Sequence, residues 1–185
     1  MRKEEIFQQI RGKLIVSCQA NEEENPFNPP EEMTRMAKAA AIGGCAGFRA
    51  NRPENVRMIK EAFPDKVMIG IWKVVTEGCD VYITPTMKEV EVLREIGSDI
   101  IAVDGTDRIN CNGRKAYELI REIKETSQRL AVARQLDAGK SYSAIEEATG
   151  ASATTIARVS KCLSYGAGGY NAALNVLDDA EKKRR

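Results

Sequence analysis

The chain has 185 residues with 28 basic and 27 acidic side chains, no histidine and a net charge of +1. That length accommodates one ordinary domain or a domain with a small companion, and falls short of the roughly 200 residues of a complete (β/α)8 barrel. Cys18, Cys45, Cys79, Cys111 and Cys162 form no CxxC pair and have no histidine to complete a zinc site, so the sequence predicts reduced thiols and neither metal nor cofactor. No apolar run approaches the ~18 residues of a membrane span and Met1–Arg11 is charged rather than signal-like, which predicts a cytoplasmic protein with no membrane partner.

Residues 3–11 read as a short amphipathic helix stopped by Gly12, before KLIVSCQ (13–19), a buried strand with Gln19 at its carboxyl end. A polar loop over 20–30 leads to Pro30-Glu31-Glu32, proline and carboxylates in a helix's first turn, and that helix runs to Gly43-Gly44. AGFRAN (46–51) is a second strand, ending on Arg49, and Pro53 opens a second helix over 53–63. VMIGIWK (67–73), an apolar run with β-branched residues at Val67, Ile69 and Ile71, suits a strand buried on both faces. Met87, Val90, Leu93 and Ile96 share one face of a helix over 87–97, and DIIAVDGT gives a fourth strand ending at Asp104.

Four strand–helix units in strict alternation predict an α/β fold with a parallel sheet and right-handed crossovers. Lys73 at the end of the third strand is conspicuous, because ligands bind at the carboxyl ends of parallel strands and a lysine there can serve as a base. A lysine also simply marks where a strand meets water. The joint placement of Gln19, Arg49, Lys73 and Asp104 at strand ends favours the first reading: an amide, two cations and a carboxylate suit a phosphorylated or hydroxyl-rich ligand.

KLIVSCQ, GFRAN, IGIWK, YITPTMKEV and GSDIIAVDGTDR, in this order and spacing, resemble the first half of the N-acetylmannosamine-6-phosphate 2-epimerase family, (β/α)8 barrels of bacterial sialic acid catabolism. The resemblance covers about residues 6–125. It implies a half barrel in which Lys73 is catalytic, moving the proton at C2 of a phosphorylated amino sugar, and Gln19, Arg49, Asp104 and Arg108 contact substrate. The family's second proton-transfer group, a glutamate in an EGR-type motif, has no counterpart here, nor do the later strands that hold the phosphate. Glu77, just past the third strand, is the candidate for the missing acid.

From Thr126 the pattern changes. QRLAVARQLDAG (128–139) reads as a helix stopped by Gly139, and SYSAIEEATGASATTIARVSKCL as two helices around a turn at Gly150, capped by Ser141 or Ser143 and by Ser152. Ile145, Ile156 and Val159 have the spacing of a helix-turn-helix, which would leave Ser152, Ala153, Thr154, Thr155 and Arg158 at the exposed start of a recognition helix. An ordinary αα-hairpin gives the same spacing. Arg158, Lys161 and Lys182–Arg185 could contact phosphate, and the segment 126–185, with nine basic and six acidic residues, carries +3 against −2 for residues 1–125.

QRLAVARQLDAGKSYSAIEEATGASATTIARVSKCLSYGAGGYNAAL (128–174) resembles the DNA-binding half of the Trp repressor family, closest to a branch with an LxYGxxGY-type ending, here Leu163–Tyr170. The resemblance implies a transcriptional regulator of double-stranded DNA, with Arg129 and Arg158 matching the two arginines that hold the effector in Trp-responsive members. That family's amino-terminal dimerisation helices are missing. Two segments, 1–125 and 126–185, are thus expected, joined without a Gly/Ser/Pro linker. Both sheet edges are expected to be long and apolar, so the chain should self-associate.

Overall fold

The computed structural model describes residues 3–20 and 27–182. Residues 21–26 of the predicted loop and the side chains of the tail Lys182–Arg185 lie outside the described residues. The chain divides into two compact units, residues 1–119 and 120–185.

The first unit contains α1 (Lys3–Ile10), β1 (Ile15–Cys18), α2 (Pro30–Ile42), β2 (Gly47–Asn51), α3 (Pro53–Ala62), β3 (Val67–Ile71), α4 (Met87–Glu95) and β4 (Ile100–Ile101). The strands form one parallel sheet in the order β1-β2-β3-β4. This is the α/β architecture that strand–helix alternation predicts. Pro30 and Pro53 occupy first-turn positions of α2 and α3, where a missing N–H costs nothing. At α4, the Thr86 N–H donates to the Glu89 carboxylate at 2.9 Å, one arm of a capping box that satisfies the first-turn amides.

The core lies between the sheet and its helices. Cys18, Phe48, Ala50 and Met68, alternate residues of three adjacent strands, pack against Met33 and Ala37 of α2, Val56 and Ile59 of α3 and Leu93 of α4. Gly70 is needed where α4 crosses β3. A Cβ there would overlap Ser98 Oγ and lie 3.1 Å from Leu93 Cδ2. Ser98 Oγ is itself buried without a hydrogen-bond partner. We therefore expect Gly70→Ala to destabilise the fold by about 1–3 kcal/mol through overpacking. Ser98→Ala should be neutral or stabilising by about 1 kcal/mol, because it removes an unsatisfied hydroxyl. Thermal melts check this, with the midpoint lowered in Gly70→Ala and unchanged or raised in Ser98→Ala.

At the amino ends of the strands Asp99 ties three elements together. Its Oδ2 accepts Lys60 Nζ at 2.7 Å and the Met68 N–H at 2.8 Å, while Lys60 Nζ also donates to the carbonyls of Pro64 and Lys66.

Three expectations about strand ends are corrected. β2 does not end on Arg49 but continues to Asn51, so Arg49 sits mid-strand. β3 stops at Ile71, and residues 72–84 turn back as a hairpin in which Lys73 bridges Ile83 in antiparallel fashion and the Val74 N–H donates to the Tyr82 carbonyl at 2.8 Å. β4 is only two residues long, because beyond Ala102 the hairpin takes over its bonding: the Asp104 N–H donates to Ile83 O at 3.0 Å. The β4 edge is therefore short, not long.

The second unit is helical. α5 (Ala116–Asp137) runs unbroken through Thr126, so the expected change of pattern there is not a break in structure, and the division into units falls within this helix. α6 (Tyr142–Thr149) and α7 (Ala153–Tyr165) flank Gly150, whose φ of +64° and N–H to Glu146 O (2.8 Å) form a left-handed helix stop that favours glycine. Ser141 and Ser152 are the caps, accepting from the Ala144 and Thr155 amides. Val132, Ala133, Ile145, Ala151, Ile156 and Val159 form the core of this unit, with Tyr170 packed against it. α8 (Gly169–Lys182) is not among the helices expected from the sequence, although Tyr170, Leu174 and Leu177 have helical spacing. Among the described residues no helix is long and apolar enough to cross a membrane.

Candidate functional site

Strand alternation settles which side chains share a face. With Cys18, Phe48, Ala50 and Met68 directed at the helices, their odd-numbered neighbours Ser17, Gln19, Arg49, Asn51, Ile69 and Ile71 belong to the opposite face. Gln19 is one residue past β1, and its Nε2 donates to Ser17 Oγ at 2.7 Å, as two residues on one face can. Arg49 is half-buried in the row Ser17, Arg49, Ile69, Ile100. Lys73, two residues beyond β3, is half-buried. Its backbone N–H donates to Asn51 Oδ1 at 2.9 Å, which brings the carboxyl ends of β2 and β3 together.

Asp104 stands three residues past β4 and is engaged within its own loop. Its Oδ1 accepts the Thr106 N–H at 3.0 Å, and Arg108 lies 3.5 Å from Oδ2 while donating to Thr106 Oγ1 at 3.1 Å. Thus Asp104 and Arg108, both expected to touch substrate, are paired with each other. The Thr106 hydroxyl, the Thr106 N–H and the Arg108 guanidinium, in that order, hold the Asp104 carboxyl below its ordinary value against the opposing effect of burial. A depressed carboxyl stabilises the fold above its unfolded pKa of about 3.9, and that contribution is lost as pH falls through the lower folded value. Thr106→Ala is accordingly expected to raise the Asp104 pKa toward its unfolded value, and so to reduce the stability this carboxyl contributes at neutral pH and loses on acidification. Carboxyl-carbon NMR titration of both proteins reads this directly.

Glu77 is exposed near the tip of the 72–84 hairpin, where the Cys79 N–H donates to Thr76 O at 3.1 Å. Burial, then the neighbouring Cys45, pushes the Cys18 thiol up to about 11, so it is a packing group rather than a nucleophile. A depression of about 560 Å³ lined by Lys3, Phe7, Gln8 and Ile10 lies on α1, and none of the candidate residues lines it.

In the second unit Ser152, Ala153, Thr154, Arg158 and Lys161 are exposed. Thr155 is half-buried, with its hydroxyl 3.0 Å from Ser152 Oγ, so it serves the helix cap. Arg129 donates to Thr126 Oγ1 at 3.2 Å and lies 3.7 Å from Glu125.

Sequence reasoning missed three buried polar residues around the carboxyl ends of the strands. Asn51 holds the Lys73 amide, Thr84 bonds both the N–H and the carbonyl of Trp72, and Asn110 donates to Pro85 O at 2.6 Å while accepting the Asn112 and Arg114 amides. Except for the two turn amides that Asn110 accepts, their partners are 12 to 25 residues away in sequence, where periodicity carries no signal.

Comparison with known proteins places this geometry. Residues 33–173 match the family model described as "Putative N-acetylmannosamine-6-phosphate epimerase". Two curated proteins named "Putative N-acetylmannosamine-6-phosphate 2-epimerase" are similar. That of Clostridioides difficile (strain 630) is 47% identical over 120 residues, 65% of this chain and 53% of its own length. That of Caldanaerobacter subterraneus subsp. tengcongensis is 43% identical over 128 residues, 69% of this chain and 53% of its own. The solved structure of the N-acetylmannosamine-6-phosphate 2-epimerase from Clostridium perfringens superposes with a TM-score of 0.61 at 36% identity, covering 66% of this chain and 53% of that one. The chain therefore belongs to the N-acetylmannosamine-6-phosphate epimerase family, and it spans about half the length of the curated relatives it matches.

Proposed function

We propose that the first unit is half of a sugar-phosphate epimerase site and binds N-acetylmannosamine 6-phosphate or N-acetylglucosamine 6-phosphate. The observation that carries this reading is the shared sheet face of Gln19 and Arg49, with Lys73 and Asp104 beyond the carboxyl ends of β3 and β4. In this reading Lys73 is the proton-transferring base, and Gln19 and Arg49 orient the sugar and its phosphate. Asp104 and Arg108 meet the substrate as a preformed pair. A second group must return the proton from the opposite side of C2. Glu77 is the nearest candidate in sequence, and a second copy of the chain is the alternative source. The reading involves no cofactor and a cytoplasmic setting.

The test is an NMR titration of the labelled chain with N-acetylmannosamine 6-phosphate. The expected result is saturable shifts at Gln19, Arg49 and Lys73 that weaken in Arg49→Ala. Binding that leaves those signals unmoved would overturn the reading.

A second reading, double-stranded DNA recognition by residues 126–185, is favoured by one observation: Ala153, Thr154 and Arg158 are exposed on the first turns of α7, behind the Gly150 turn. Arg158 and Lys161 would contact phosphate and Thr154 a base edge. Thr155, committed to the cap, is the weaker candidate. Salt-dependent binding to random-sequence duplex, with the slope reduced by about one unit in Arg158→Ala, is expected. Absence of binding at low ionic strength would leave the segment a structural hairpin.

A further inference from the structure

We propose that Asn51 and Thr84 are positioning residues, a two-sided clamp on the backbone that fixes where Lys73 emerges beyond β3. The functional meaning of the clamp rests on the reading of Lys73 as the reacting group. The clamp itself is a property of the backbone and can be measured without that reading.

The need for a clamp follows from where β3 stops. Beyond Ile71 the peptide units leave the parallel ladder, and the amides of Trp72 and Lys73 require new partners. Further along the same hairpin this is solved by backbone pairing alone, as between Val74 and Tyr82. At Trp72 and Lys73 side chains are recruited from both sides instead. Thr84 Oγ1 accepts the Trp72 N–H at 3.1 Å, and the Thr84 N–H donates to the Trp72 carbonyl at 2.7 Å. From β2, Asn51 Oδ1 accepts the Lys73 N–H at 2.9 Å. The next residue, Arg52, donates its N–H to Ile71 O at 3.0 Å, and the Asn51 carbonyl is held by Asn55 Nδ2 at 3.0 Å. Asn51 is 5% exposed and Thr84 fully buried, so water does not compete for these bonds.

Backbone strain marks the same spot. Among the described residues, the non-glycine positions with positive φ are Arg52 (+78°) and Thr84 (+48°). Thr84 is one side of the clamp, and Arg52 directly follows the other, Asn51. A β-branched residue at positive φ is an outlier, and glycine would relieve it, but glycine has no hydroxyl for the Trp72 amide. Strained residues held by their surroundings gather where position matters to function. Misplacing a reacting group by about 1 Å can cost on the order of a hundredfold in rate, which is the reason to fix the backbone that carries Lys73.

Amide hydrogen exchange of the full chain tests the clamp. In Asn51→Ala, exchange at Lys73 should quicken about tenfold relative to Ile69 and Ile71, as the loss of one buried hydrogen bond implies. Asn51→Asp, which keeps an acceptor, should restore most of the protection. Thr84→Val should do the same to Trp72, and Thr84→Ser should not, so this pair decides the matter if Asn51→Ala fails to fold. If Trp72 and Lys73 quicken no more than Ile69 and Ile71, or the conservative variants give no rescue, the residues serve global stability only and the proposal is overturned. The two ideas separate cleanly: N-acetylmannosamine 6-phosphate that leaves wild-type Lys73 signals unmoved removes the epimerase reading, whereas Lys73 exchange unchanged in Asn51→Ala removes the clamp.

Discussion

Phe48→Ala is expected to destabilise the first unit by about 3–5 kcal/mol, the range for truncating a fully buried aromatic. Phe48 is the second residue of β2, with no exposed surface, on the face where α2 and α3 meet the sheet. Its ring centroid is 5.2 Å from that of Phe63 at an interplanar angle of 50°, a tilted pair that adds to simple burial. Core residues on three elements, Met33, Val56 and Met68 among them, would have to collapse together to fill the space, and each is anchored in a hydrogen-bonded helix or strand that resists the shift. Against a typical total of about 5–15 kcal/mol, the loss is large enough to unfold a substantial fraction of the protein. Trp72 is the chain's single tryptophan and lies in this unit, so its fluorescence in a urea titration reports the unit selectively. The expected outcome is a lower midpoint with an unchanged slope. A shift under about 1 kcal/mol would show that the helix layer does not pack on Phe48 as described, and Phe48→Leu, which keeps most of the volume, should cost no more than about 1.5 kcal/mol.

Much of this layer was legible in the sequence because its signals are local. Pro30 and Pro53 announce helix starts, Gly12 and Gly150 helix stops, and the period of Met87, Val90 and Leu93 the buried side of α4. The alternation of strand with helix is enough to require a parallel sheet. What escaped depends on groups that meet only in three dimensions. Arg49 reads as a strand end because it is a charge in an apolar run, yet it sits mid-strand and half-buried in the row Ser17, Arg49, Ile69, Ile100. DIIAVDGT reads as a strand ending at Asp104, but β4 ends after two residues because the 72–84 hairpin offers a competing carbonyl at Ile83. That hairpin has no strong periodic pattern. Asn51, Thr84 and Asn110 are invisible locally, since an Asn or Thr is chosen there for bonds to distant backbone amides and carbonyls.

The other large effect concerns catalysis and depends on what lies against the sheet face that carries Gln19 and Arg49. Epimerisation at C2 needs one group to remove the proton and another to return it from the opposite side, each supplying about a hundredfold to ten-thousandfold. In the proposed reading Lys73 supplies one, but Asp104 is held as an anion by Thr106 and Arg108, which makes it a poor proton donor at neutral pH. Apolar Ile69 and Ile100 and half-buried Arg49 also lie on this face, and parallel sheets are ordinarily buried on both sides. A second copy could cover it, β1 of one protomer continuing the parallel order beside β4 of the other, and two such junctions would close eight strands, a number whose interior side chains can fill. With β4 reduced to two residues, the drive for this pairing comes from the face more than from the edge. Monomeric protein should therefore bind N-acetylmannosamine 6-phosphate without converting it, and any turnover should rise with the dimer fraction and fall at least about a hundredfold in Lys73→Ala. Light scattering alongside the conversion assay across a dilution series checks both halves. Turnover by a monodisperse monomer at micromolar concentration would sink the closure argument and point instead to a second proton-transfer group within the chain, with Glu77→Gln the variant to examine first.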